Sequence, residues 1–251
     1  MKDLAIEYKW FGFRRMVIRQ LPERWEELNA RQLIAVAKLA QANIGETDYL
    51  HEFLDLPKKL VKKLSAFEIW NIGKQITFTE GFEPWYKFIL KLKGLAAPRP
   101  RLEGMTFGQF MFVDTFYGDW VGFDSAQPAN ERDDHLNKFV GSLYFPEKEK
   151  FDTEKLELYI ENSRELPEEV KIAITLNYRL LKEWLSNLYP LLFQRPAETT
   201  TEAKQPSTSG WLTIFESIVG DDIIHQEEYF DLSVHAVLRF LTKKMKENAK
   251  G

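Results

Sequence analysis

Apolar and polar positions change their period along the chain, and each change marks an element. Leu4, Ile6, Tyr8 and Trp10 alternate with polar or small residues, the two-residue period of a half-buried strand. Gly12 permits a turn, Arg14–Arg19 can return as a second strand, and Pro22 closes the segment. The period then lengthens. Asn29 with Gln32 starts a helix carrying Leu33, Val36, Ala37 and Ala40. A second helix is expected over Thr47–Leu56, and Pro57 opens a third whose apolar face is Leu60, Val61, Leu64 and Phe67. Ile76 and Phe78 alternate with threonines as a short strand would, and Trp85–Leu92 reads as helix.

Pro98 and Pro100 interrupt the pattern across Ala96–Arg101, so a subdivision is expected near 96–104. Thr106 and Gln109 repeat the capping pattern ahead of Phe110 and Val113, and Gly118–Asn130 is loop-like. Leu136, Phe139, Val140 and Leu143 form an amphipathic stripe ended by Pro146. Asp152 caps a helix over Leu156–Ile160. The longest helix, Pro167–Tyr189, buries Val170, Ile174, Leu181, Trp184, Leu185 and Leu188 and stops or kinks at Pro190.

Arg195–Gly210 holds three consecutive threonines and almost no apolar side chains, too little to offset the entropy of ordering. It is read as a flexible linker. Beyond it lie a short helix over Trp211–Val219 and a last helix, capped by Asp231, with Val234, Val237, Leu238, Leu241 and Met245 on one face. The expected fold class is therefore mainly α. A helical domain spans 1–194 with a small N-terminal β element, the linker spans 195–210, and a C-terminal helical pair occupies 211–251.

Composition narrows the function. Nineteen Phe and seven Trp within 251 residues supply a dense core, a partner surface or both. The absence of cysteine excludes disulfides, thiolate catalysis and cysteine-bound zinc. A net charge of -4 provides no global basic field to draw in nucleic acid. No apolar run approaches the roughly 20 residues of a spanning helix, and Met1–Phe13 lacks a continuous apolar signal core, so a cytoplasmic location without membrane contact is expected.

No phosphate loop, serine elbow or paired-histidine metal motif occurs, so the chain is expected to be non-enzymatic and cofactor-free. The best metal-like group is Asp221, Asp222, His225, Glu227 and Glu228. It lacks any established ligand spacing and reads first as an acidic loop; a metal-dependent enzyme using Asp221, His225 and Glu228 is one alternative. His235, among apolar neighbours, reads as a satisfied core or boundary histidine, and Asp133-Asp134-His135 as a helix start. Lys58, Lys59, Lys62 and Lys63 form a basic face near Trp70. It reads first as the solvated side of a helix, and a nucleic-acid-associated protein is the second alternative.

Three segments carry a resemblance. They are Leu21-Pro22-Glu23-Arg24-Trp25-Glu26-Glu27-Leu28 with the Gln32–Leu39 helix; Met105-Thr106-Phe107-Gly108-Gln109-Phe110 with Leu143-Tyr144-Phe145-Pro146; and Trp211–Val219 followed by an acidic stretch and a Leu/Val helix ending in lysines. In this order they resemble proteins encoded by phages and prophages of Bacteroidetes-type bacteria, some of them similar to tail-assembly chaperones or minor virion proteins. The resemblance implies a role in virion assembly, in the host cytoplasm or in the particle, with a tail tape-measure or other virion protein as partner. It carries no catalytic residue over. The residues themselves add a docking hypothesis: a tethered amphipathic segment would contact the partner through Trp211, Phe215, Val234, Leu238 and Leu241. Packing of that segment on its own domain is the other fate open to it.

Overall fold

The N-terminal alternation is realised as a hairpin. The computed structural model describes residues 1–10, 13–123, 128–147, 149–193, 209–220 and 222–249. Strand β1 (Lys2–Trp10) pairs antiparallel with β2 (Phe13–Leu21), Leu4 opposite Arg19 and Ile6 opposite Val17. The expected Gly12 turn lies outside the described residues. Leu4, Ile6 and Leu21 are buried, as a two-residue period demands of one face. Among the described residues eleven α-helices accompany this hairpin, so the fold is mainly α.

The chain forms two compact units, one of residues 1–85 with 168–183, the other of 86–167 with 184–251. The break expected near 96–104 falls inside the second. In the first unit, helix α1 (Ala30–Ala40) begins with the capping box expected of Asn29 and Gln32. It packs on α2 (Glu46–Leu54), burying Leu33, Ala35 and Ala37 together with Leu50, Phe53 and Leu54. Trp25 is the pivot of this core. It is 2% exposed, lies edge-on to Phe78 and stacked on Phe82, and donates through Nε1 to the Gly81 carbonyl at 2.8 Å.

Three expectations fail in and beside this unit. The third helix is two: α3 (Lys58–Val61) stops, and α4 (Ala66–Gly73) restarts at Ser65, whose hydroxyl accepts from Glu68 N–H. Leu60, Val61 and Leu64 are buried, but Phe67 points outward at 67% exposure. Ile76–Phe78 is not a strand; Phe78 begins a short 3-10 turn. Trp85–Leu92 is irregular rather than helical, because distant groups satisfy its backbone. Trp85 N–H donates to Leu180, the Tyr86 carbonyl accepts from Arg101, and the Leu90 carbonyl accepts from the Tyr144 hydroxyl.

In the second unit α5 (Phe107–Val121) packs on α6 (Ala129–Leu143), and α6 on α7 (Leu156–Arg164). Both helices reach into the Gly118–Asn130 stretch expected as loop, of which 124–127 lie outside the described residues. Thr106 caps α5, but Gln109 does not complete the box: its side-chain amide donates to the Ser142 carbonyl of α6. Two short strands, β3 (Leu95–Ala96) and β4 (Phe145–Pro146), pair antiparallel. The longest helix, α8 (Glu168–Leu188), ends before Pro190 as expected, with its last residues in this unit.

The C-terminal segment is built in. Helix α9 (Ser209–Val219) takes in two residues expected in the linker, whose remainder, 195–208, lies outside the described residues. After α10 (Gln226–Phe230) the chain lies against Met105–Phe107: Phe107 N–H donates to Leu232 and Val234 N–H to Met105. Helix α11 (Val234–Asn248) follows, entered at Ser233 and not at Asp231, which ends α10.

Candidate binding surface

Helix α4 owes its start to the reciprocal pair at its first turn. The Glu68 carboxylate takes the Ser65 N–H at 2.6 Å and its hydroxyl at 2.7 Å, and these bonds hold Glu68 below its ordinary pKa. Once the helix is registered, Ile72 faces inward, while Phe67 and Trp70, one turn apart, face outward. Trp70 is 52% exposed. The two rings stack with centroids 6.0 Å apart, and the Lys74 ammonium sits 3.7 Å from the Trp70 centroid. Phe67, Trp70 and Lys74 thus stand at i, i+3 and i+7, one continuous stripe.

Beside this stripe a cleft of about 620 Å³ is lined by Glu7, Tyr8 and Arg14 of the hairpin and by Lys63, Leu64 and Glu68. Of the expected basic residues, Lys58 pairs with Asp48 at 3.3 Å, and Lys59, Lys62 and Lys63 are exposed. Phe13, Met16 and Ile18 on β2 are also exposed, at 72%, 59% and 52%. These side chains, with Phe67 and Trp70, are large apolar groups left to solvent on the first unit.

The docking residues expected in the C-terminal segment are placed otherwise. Phe215, Val234 and Leu238 are buried in the second unit, and Trp211 and Leu241 are half-buried. Trp211 lies among Phe107, Phe110 and Phe193 and donates to the Asp114 carboxylate at 2.8 Å. Phe215, Val234 and Leu238 thus pack within their own unit: an amphipathic stripe covers the nearest apolar face, and α5 provides one. Trp211→Phe keeps an aromatic ring but removes the indole N–H from buried Asp114. We expect a loss of about 1–2 kcal/mol, read as a lower urea midpoint.

Four of the five metal-like residues are described. Asp221 lies outside the described residues, and among the described residues no three His, Asp or Glu side chains are grouped to hold an ion. Asp222 instead contacts His225 Nδ1 at 2.7 Å and accepts from the Tyr229 hydroxyl at 3.1 Å. The hydrogen bond to Asp222 raises His225 above its ordinary pKa of 6.5. A raised histidine contributes stability below its unfolded pKa and loses it as pH rises through the folded value. An NMR titration should place His225 above an unstructured histidine, and Asp222→Asn should lower it. An unchanged midpoint in the variant would refute the contact.

His235 is a satisfied histidine: Nδ1 accepts from the Tyr189 hydroxyl at 2.8 Å and Nε2–H donates to the Arg101 carbonyl at 2.6 Å. Asp133-Asp134-His135, expected to start a helix, lies inside α6, which begins at Ala129; with Lys138 and Arg164 it lines a cleft of about 520 Å³. Its central carboxylate, Asp134, is engaged by Lys138 at 2.6 Å and Arg164 at 3.3 Å, a structural ion cluster. Compared with known protein families, curated proteins and solved structures, the chain matches none.

Proposed function

We propose that this chain is a non-enzymatic phage or prophage protein of virion assembly, most closely of the tail, that acts by stoichiometric binding to another protein. The observation that carries the binding half is the outward stripe of α4 beside the hairpin, where Phe67 and Trp70 stay solvent-facing although their helix has an inward face to offer. The assembly half comes from the resemblance of the Leu21–Leu28, Met105–Phe110 and Trp211–Val219 segments. In this reading the exposed rings cover apolar surface on a virion protein until assembly is complete.

Affinity capture from cells producing the parent particle, with mass spectrometry of the eluate and of purified virions, tests the reading. Co-elution of a tail or tape-measure protein, with this chain missing from virions, identifies an assembly chaperone. Its presence in virions identifies a structural component. Capture of no virion protein, together with absence from particles, overturns the proposal.

A further inference from the structure

We infer that the Phe67–Trp70–Lys74 stripe seats an acidic amphipathic helix of the partner, an inference that rests on the protein-binding reading above. Residues at i, i+3 and i+7 form the seam along which one helix receives another. Phe67 and Trp70 supply the apolar part of that seam, and Lys74, already over the Trp70 ring, supplies its cationic end. The surroundings add positive charge. Lys59, Lys62 and Lys63 are exposed just before α4, and Arg14 lines the adjoining cleft. The carboxylate within α4, Glu68, is engaged at the helix start by both donors of Ser65.

Charge decides among the occupants. A second copy would bring lysine against lysine, which disfavours self-association through this face. A single nucleic-acid strand would find cations, but Phe67 and Trp70 already stack on each other, so no base can enter between them. A helix with leucines on one face and glutamates along its borders meets apolar with apolar and acid with base.

The test titrates the full chain into a fluorescein-labelled amphipathic peptide of about 20 residues, leucine at seam positions and glutamate elsewhere, read by anisotropy. Binding should weaken as salt rises. Phe67→Ala and Trp70→Ala should each weaken it about tenfold or more, with unchanged circular dichroism because both rings are exposed. Lys74→Glu should weaken the acidic peptide, and the same peptide carrying lysine for glutamate should not bind. No binding of the acidic peptide, or equal binding by the ring variants, overturns the inference. So does tighter binding of an oligothymidine lost in those same variants, which makes the stripe a single-strand site, or a dimer in sedimentation that they dissolve, which makes it a self-contact. Captured virion protein retained by the ring variants removes the seat and leaves the assembly reading. Peptide binding without capture of any virion protein does the reverse.

Discussion

Trp25→Ala is expected to lower the stability of the first unit by about 3–5 kcal/mol, the cost of emptying a large aromatic site in a core. The ring is 2% exposed, is stacked on Phe82 at 5.5 Å and meets Phe78 edge-on at 5.6 Å. Its removal therefore strands two more aromatic side chains. Arg179 covers the Phe82 ring at 3.7 Å, so that contact loosens with it. The lost hydrogen bond is the smaller part, because Gly81 is exposed and its carbonyl can take water instead. Trp25→Phe separates the two contributions: most of the packing returns, and the residual loss should be about 1 kcal/mol. Urea denaturation followed by circular dichroism reads both. Against a total of about 5–15 kcal/mol, the alanine variant should show a transition shifted far toward low denaturant. A midpoint matching the wild type would show that Trp25 is not the pivot of this core.

The same residue shows what the sequence made legible. Leu21, Trp25 and Leu28 are all buried, so the Pro22–Leu28 pattern behind the resemblance is also a packing pattern. The hairpin, the Asn29–Gln32 box, the Leu136–Leu143 stripe and the end of α8 before Pro190 were legible because their signals are local. Trp85–Leu92 was not. Its backbone partners are Leu180, Arg101 and Tyr144, and no window of neighbouring residues contains them.

The candidate surface was half legible. Lys58–Lys63 and Trp70 stand out as a basic and aromatic group, yet the spacing of Phe67 from Leu60 and Leu64 places it on the apolar face. The signal that could have corrected this is Ser65-x-x-Glu68, a capping box that restarts the helix and rotates Phe67 outward. At the C-terminus the helical period matches α9 and α11, but a period says only that one face is apolar. It cannot say whether that face meets α5 or another protein, and Phe215, Val234 and Leu238 meet their own unit.

Gly141→Leu should cost at least about 3 kcal/mol, and Gly141→Ala about 1–3 kcal/mol, although alanine is the better helix former by about 1 kcal/mol. The sign turns on what an added Cβ meets. At Gly141 it would lie 2.8 Å from the backbone of Tyr159 and Ile160, on the neighbouring α7. Those are main-chain atoms of a helix and cannot swing aside, so α6 and α7 must separate. Separation is expensive here. The Ser163 hydroxyl lies 2.8 Å from the Asn137 carbonyl across the same contact, and Phe139, Val140, Tyr159 and Ile160 are all buried. Gly118, inside α5, is the matched control: a Cβ there has nothing within 4 Å. Gly118→Ala should therefore stabilise by about 0.5–1 kcal/mol through helix propensity and a less free unfolded chain. Thermal unfolding of the two alanine variants side by side should move in opposite directions. If both rise, α6 and α7 do not approach as closely as this contact requires; if both fall, helix propensity does not govern the open site at Gly118.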